Sequence, residues 1–250
     1  MKTFSYAKPR QLAPDLWEIR GEWSNAFGRR MTVLRLSSGE VFVHNAIRLE
    51  PPELEWLRGL GPVRGIVAPN KFHCSDAPWM AQQFPRAEVF APAPKLEEFR
   101  SAGLSPRDVA TEFPRELAPE LECVPMRGTR VAESAFVHHP SRTLVLCDLA
   151  MNMEDVFTGL QGAFMRWNKV GGRFAVTRLT RYLFTSDKSA LLESYERLLE
   201  HDFERVVVNH GSVLETGGRA LLRASVAETF GVVRRPSVTR SRSKQGEPSL

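Results

Sequence analysis

The pattern of apolar and polar positions divides the chain into a strand-rich first half and a helix-rich second half. "DLWEIRGEW" and "RRMTVLRLSSGEVFVHNAI" alternate apolar with polar residues around "SSG", the pattern of strands joined by a hairpin. "PPELEWLRGLG" predicts a short helix, with Pro at its start, Leu54 and Leu57 on one face, and Gly59 and Gly61 near its end. "VRGIVAP" predicts a short buried strand stopped by Pro69. Ser75 or Asp76 is placed to cap a helix over "APWMAQQFP", whose first turn contains Pro78. A strand "AEVFAP", a helix "PKLEEFRSAG" and the strands "LECVPM", "ESAFVHH" and "TLVLCDLA" follow.

Beyond Ala150 the pattern turns helical. "MEDVFTGLQGAFMRWNKVGG" and "AVTRLTRYLF" read as helices around a Gly-Gly break. The strongest helix is "DKSALLESYERLLEHD", where Leu191, Leu192, Tyr195, Leu198 and Leu199 form one stripe behind a cap at Asp187 or Ser186. "FERVVVNHG" is a buried strand ending in a sharp turn, and "GGRALLRASVAETFG" a closing helix. This order predicts an α/β fold with mixed sheets rather than a repeated βαβ unit.

Composition changes this picture little. The 250 residues are 42% apolar and 25% charged, as in ordinary soluble proteins. The net charge of +5 is concentrated at the end: Arg234, Arg235, Arg240, Arg242 and Lys244 against Glu247 leave residues 1–233 at only +1. The expected organisation is one domain over 1–233 and a basic, disordered tail over 234–250. The tail reads first as a solubilising extension and second as a contact for nucleic acid. No apolar run is long enough for a membrane span, and the N-terminus lacks the shape of a signal peptide. Cys74, Cys123 and Cys147 are odd in number and widely spaced, which points to a reducing, cytoplasmic compartment.

Candidate chemistry gathers at three strand ends. "GIVAP" opens into Asn70, Lys71, His73 and Asp76; "TLVLC" ends at Asp148; "RVVV" ends at Asn209 and His210 before Gly211. Loops after strands are where α/β proteins build sites, and two His with two Asp suit zinc, iron or manganese. Each residue also has an ordinary role in a cap or turn, and Cys74 and Cys147 suit buried thiols. His138 and His139 precede a hairpin turn, and His201 ends a helix whose dipole favours it; neither position requires a site. "NHGSV" lacks a nucleophile elbow, and no phosphate-binding glycine loop is present.

Taken in order, the three strand ends resemble the metallo-β-lactamase superfamily, whose fold is a four-layer αββα sandwich with metal ligands on loops at one edge of two facing sheets. The resemblance spans Leu16 to Gly231 and points to a branch marked by "RMTVLRLSSGEVFVHNAI", "GPVRGIVAPNKFH" and "SRTLVLCD". The superfamily's His-x-His-x-Asp-His loop falls on Lys71 to Asp76: His73 keeps the second His, Lys71 replaces the first, Ser75 replaces the Asp, and Asp76 replaces the last His. The turn that should carry a further His, "VPMRGTRVAE", has none, although Glu133 lies nearby with a carboxylate to offer. Asp148 resembles the bridging Asp and His210 the final His.

The resemblance therefore implies at most one metal ion, on His73, Asp76, Asp148 and His210, with Lys71 and Asp76 in catalytic positions and Lys71 or Asn70 facing an oxyanion. Lys71 could even place its ammonium where a first ion would sit. Three readings stay open. One is a hydrolase of an unidentified small molecule with one zinc, iron or manganese ion. Another is a metal-free binding or scaffold protein. The last is a nucleic-acid partner, through the tail or as a relative of the superfamily's nucleases.

Overall fold

The computed structural model describes residues 8–21, 28–154 and 158–231. The tail from Arg234 onward lies outside these residues.

The first half builds one seven-stranded sheet in sequence order, with helices between its later strands: β1 (Arg10–Ala13), β2 (Leu16–Gly21), β3 (Arg29–Arg35), β4 (Val41–His44), α1 (Pro51–Leu60), β5 (Val63–Val67), α2 (Ala77–Gln83), β6 (Glu88–Ala91), α3 (Leu96–Ser101) and β7 (Arg107–Asp108). The strands from β1 to β4 pair antiparallel and those from β4 to β7 pair parallel. Hairpins suffice for the first kind of pairing, whereas parallel neighbours need the crossovers that α1, α2 and α3 supply.

A short helix α4 (Val109–Glu112) leads to a second sheet of β8 (Leu121–Pro125), β9 (Ser134–His138) and β10 (Thr143–Val145). This sheet is completed, after the ribbon β11 (Met151–Met153), α5 (Gly159–Trp167), β12 (Arg173–Ala175) and the helix α6 (Lys188–Leu198), by β13 (Arg205–Val207). α7 (Gly218–Phe230) follows. β13 pairs parallel with β10, so the chain ends of both strands open on the same edge.

Period-2 alternation assigns each sheet two faces. Leu16, Leu34, Phe42, Val67 and Phe90 from the first sheet meet Leu121, Phe136, Val145 and Val207 from the second in one buried cluster between the sheets. The opposite face of the first sheet, with Val33, Val43 and Ile66, packs under Leu54 and Leu57 of α1, Met80 of α2 and Phe99 of α3. The opposite face of the second, with Val124, Val137, Leu144 and Val206, packs under Leu191, Tyr195 and Leu198 of α6 and Leu222, Val226 and Phe230 of α7. The result is helices, sheet, sheet, helices, with mixed sheets as expected.

Asp187 caps α6, its carboxylate accepting from the N–H groups of Ser189 and Ala190. The segment after Ala150 keeps the helical expectation at α5 and departs from it on either side. Met151–Met153 instead pairs antiparallel with Arg173–Ala175, because Gly172, at φ +76°, turns the chain back onto it. The expected helix at "AVTRLTRYLF" reduces to a short turn that ends as a π-helix over Thr180–Phe184, with the Thr185 hydroxyl donating to the Thr180 carbonyl.

Candidate metal centre

The ends of β5, β10 and β13 bring His73, Asp148 and His210 together, all buried. One nitrogen from each histidine and one oxygen from Asp148 lie within 4.8 Å of one another. Both imidazoles address the same carboxylate oxygen: His73 Nε2 is 3.1 Å and His210 Nε2 3.2 Å from Asp148 Oδ1.

The tautomer of His210 follows from its other nitrogen. Nδ1 lies 2.8 Å from the Gly28 carbonyl, which can only accept, so Nδ1 carries the proton. In the neutral ring Nε2 then turns a lone pair toward a carboxylate oxygen. That arrangement calls for a positive charge between them, either a second proton or a cation. Asn209 meets part of that demand. Its Oδ1 accepts from the Arg30 backbone N–H at 3.0 Å and from Asn45 Nδ2 at 2.6 Å. Its amide nitrogen therefore faces the histidines, 3.0 Å from His210 Nε2 and 3.1 Å from His73 Nε2. Two nitrogens and one carboxylate oxygen form a donor set suited to one ion.

The surroundings hold these groups in place. Asn70, fully buried, accepts through Oδ1 from the N–H groups of Phe72 and His73, and its amide donates to Asp148 Oδ2 at 2.8 Å and Glu133 Oε2 at 3.2 Å. Both polar atoms of the Asn70 side chain are thus used in shaping the loop, in place of the oxyanion role expected of it. Glu133 accepts from the backbone N–H of Cys147 and of Asp148, each at 2.8 Å, and so fixes the chain on which Asp148 sits. Burial, and next the charge of Asp148, raise the Glu133 carboxyl to about 7, against the N–H donors that favour its anion. Asp148 is held well below the ordinary carboxylate range: burial opposes its charge, but His73 and His210 overcome that penalty. Cys147 is buried and its thiol raised well above its ordinary value by desolvation, which leaves it inert beside the centre.

Arg30 braces the last loop. Its guanidinium, buried against Glu18, donates Nη1 to the Val208 carbonyl and Nη2 to the Gly211 carbonyl at 2.5 Å, so it brackets Asn209 and His210. Gly211 stands at φ +87°, and a Cβ there would lie 1.9 Å from the Asn152 carbonyl oxygen, so only glycine allows the ribbon strand β11 to approach His210 this closely.

Of the expected ligands, Asp76 is not brought to this group. Asp76 pairs instead with Arg29, through Nη2, and with Arg48, whose Nε is 3.3 Å from Oδ1. These guanidiniums compensate its charge where the resemblance would have made it a ligand. The Lys71 ammonium lies 5.0 Å from the centroid of the Phe72 ring and makes no hydrogen bond or ion pair among the described residues. Its stem is long and flexible, and its charge rests over the half-exposed Phe72 ring.

Arg30, Asn45 and Glu18 were not anticipated. For Glu18 and Arg30 a signal existed: each shares strand parity with a residue of the inter-sheet core, Leu16 and Leu34 respectively, and a charge on that face requires a partner. Asn45, at φ +57°, carries no such signal.

No protein-family model matches the chain, and no curated protein matches it. Solved structures do. A metallo-β-lactamase from Pontibacter korlensis superposes with a TM-score of 0.59 at 11% identity, covering 92% of this chain and 100% of that one. The metallo-β-lactamase FIM-1 from Pseudomonas aeruginosa, in its mono-zinc form, gives 0.56 at 13% identity, covering 92% and 97%. A fragment of the diflavin flavoprotein A 5 from Nostoc sp. PCC 7120 gives 0.61 at 14% identity, covering 92% and 97%. With helices outside two facing mixed sheets and its candidate ligands on loops at one sheet edge, the chain has the fold of the metallo-β-lactamase superfamily.

Proposed function

We propose that this protein is a metal-dependent hydrolase that holds one divalent ion on His73, Asp148 and His210. The observation carrying this reading is the His210 ring: the Gly28 carbonyl commits its Nδ1 proton, leaving the Nε2 lone pair aimed at Asp148 Oδ1. When bound, an ion on three protein ligands supplies an open position at which water is acidified. The chain's own residues orient the site. Asn70 and Glu133 fix the Asp148 carboxylate, Arg30 and Gly211 fix the turn carrying His210, and Asn209 donates along the edge of both imidazoles. Of zinc, iron and manganese, the nitrogen-rich set favours zinc or iron. The substrate is a small molecule whose class these residues leave open.

The test is metal analysis of tag-free protein purified without added metal, with Asp148→Asn and His210→Ala alongside. The expectation is close to one equivalent at this site in the wild type and a loss of that equivalent in both variants, with circular dichroism unchanged. Wild-type protein that takes up no zinc, iron or manganese at this site would refute the proposal.

One observation favours a second reading, a metal-free binding protein. The Asn209 amide already places N–H groups near both Nε2 atoms, so hydrogen bonds could satisfy the histidines without an ion. That reading fails if Asp148→Asn and His210→Ala abolish a measured hydrolysis while thermal stability is unchanged.

A further inference from the structure

A second group of ligand-type side chains lies away from this centre. Glu122 on β8, His139 just after β9 and His201 just after α6 place one carboxylate oxygen and two imidazole nitrogens within 4.8 Å of one another. His139 Nε2 is 3.3 Å from Glu122 Oε2, His201 Nε2 is 3.8 Å from Glu122 Oε1, and the two rings are 5.7 Å apart.

The fold explains why they meet. Glu122 has the strand parity of Val124, and His139 that of Val137, so both belong to the helix-covered face of the second sheet. The register pairs Leu121 with His138 and Glu122 with Val137, which sets Glu122 and His139 at the same end of β8 and β9. α6 packs on that face through Leu191, Tyr195 and Leu198, and its C-terminus brings His201 over the same end. Backbone bonds fix the two histidines: the His139 N–H donates to the Glu120 carbonyl, and the His201 N–H to the Leu198 carbonyl.

We infer that Glu122, His139 and His201 form a second divalent-cation site, of the zinc class, that ties the end of α6 to the second sheet. The chemistry is a nitrogen–nitrogen–carboxylate set, which binds zinc, cobalt(II) or nickel(II) in preference to magnesium or calcium. Tetrahedral zinc on such ligands needs donor separations of roughly 3.3 Å, given bonds of about 2.0–2.1 Å. His139 stands at that distance from one Glu122 oxygen and His201 at 3.8 Å from the other, so a rotation of the carboxylate that presents one oxygen to both histidines completes the set. The three side chains keep 36%, 32% and 19% of their surface exposed, so an ion can enter from solvent and complete its shell with water. The end of a helix also favours a cation, since its last carbonyls point there.

The competing account is a plain ion pair between Glu122 and protonated histidine. Cobalt(II) titration of tag-free, full-length protein separates the two, followed by visible absorption and checked with zinc chloride by calorimetry. His73→Ala/His210→Ala protein, in which the buried centre is dismantled, should still bind one equivalent. Adding His139→Ala or His201→Ala should weaken that binding at least about tenfold, and Glu122→Gln should weaken it less, since an oxygen remains. If the double variant is poorly folded, His139→Ala in the wild-type background should lower the stoichiometry by one. Loss of the buried centre alone would show as wild-type protein with one equivalent that His139→Ala removes. Equal cobalt and zinc stoichiometry and affinity in wild type, His139→Ala and His201→Ala would overturn the inference.

Discussion

His44→Leu should uncouple part of the protein's stability from pH. His44 ends β4 on the face that meets the second sheet, 3% exposed and edge-on to Phe136 with ring centroids 5.5 Å apart. Its Nε2 has no hydrogen-bond partner among the described residues. Burial, with a smaller contribution from nearby His73, lowers its pKa from 6.5 to about 3. The folded state therefore holds His44 neutral where the unfolded chain binds a proton. Between those two values stability must fall as pH falls, because the unfolded state takes up the extra proton. For these pKa values the penalty is negligible near about pH 7.5 and about 2 kcal/mol at about pH 5. Glu133 works in the opposite sense, since its raised carboxyl makes the folded state bind a proton more readily below about 7. The wild-type profile alone is thus ambiguous, and the informative quantity is the variant minus the wild type. Leucine removes the titration and the unpaired nitrogen. At about pH 7.5 it should be neutral or stabilising by about 1 kcal/mol. At about pH 5 the variant's advantage should have grown by about 2 kcal/mol. Urea unfolding followed by tryptophan fluorescence in the presence of a chelator, which keeps His73 metal-free, measures both. Parallel profiles for variant and wild type would refute the reasoning.

Other perturbations test other contacts. Asp76→Asn should leave the metal content of the buried centre unchanged, because Arg29 and Arg48 hold Asp76; a loss equal to that of Asp148→Asn would make Asp76 a ligand. Gly211→Ala forces a Cβ to within 1.9 Å of the Asn152 carbonyl oxygen. It should lower stability by more than the roughly 1–2 kcal/mol of left-handed strain alone, and reduce metal content, as thermal unfolding and metal analysis would show. Arg30→Met leaves the buried Glu18 with the half-exposed Arg10 as its remaining ion-pair partner and should cost up to about 3 kcal/mol in urea unfolding, with much of it regained in Arg30→Met/Glu18→Leu. Asp187→Ala removes the α6 cap and should cost about 1 kcal/mol without altering metal content.

The sequence by itself carried the local rules. Alternation and apolar runs marked β2 to β6 of the first sheet and the strands of the second, but not the short edge strands β1 and β7; the leucine and tyrosine stripe marked α6, and three polar strand ends offered His73, Asp76, Asp148 and His210 as candidate ligands. These features are legible because period, capping and strand termination depend on near neighbours. α5 falls inside the helix expected over residues 153–172, but what its flanks would do was not legible: β11 and β12 exist only because each pairs with the other, and no local pattern specifies a partner some twenty residues away. Tertiary structure alone decided the fate of the loop from Lys71 to Asp76. Asp76 lies in the stretch where a ligand is expected, yet Arg29 and Arg48 claim its carboxylate. Nor could spacing in sequence show that Glu122, His139 and His201 converge, since only the packing of α6 on the second sheet brings its end to theirs. The physical reason is common to these cases. Which charge a carboxylate or imidazole meets is a long-range electrostatic outcome, settled by which elements pack together and not by the residues beside it in the chain.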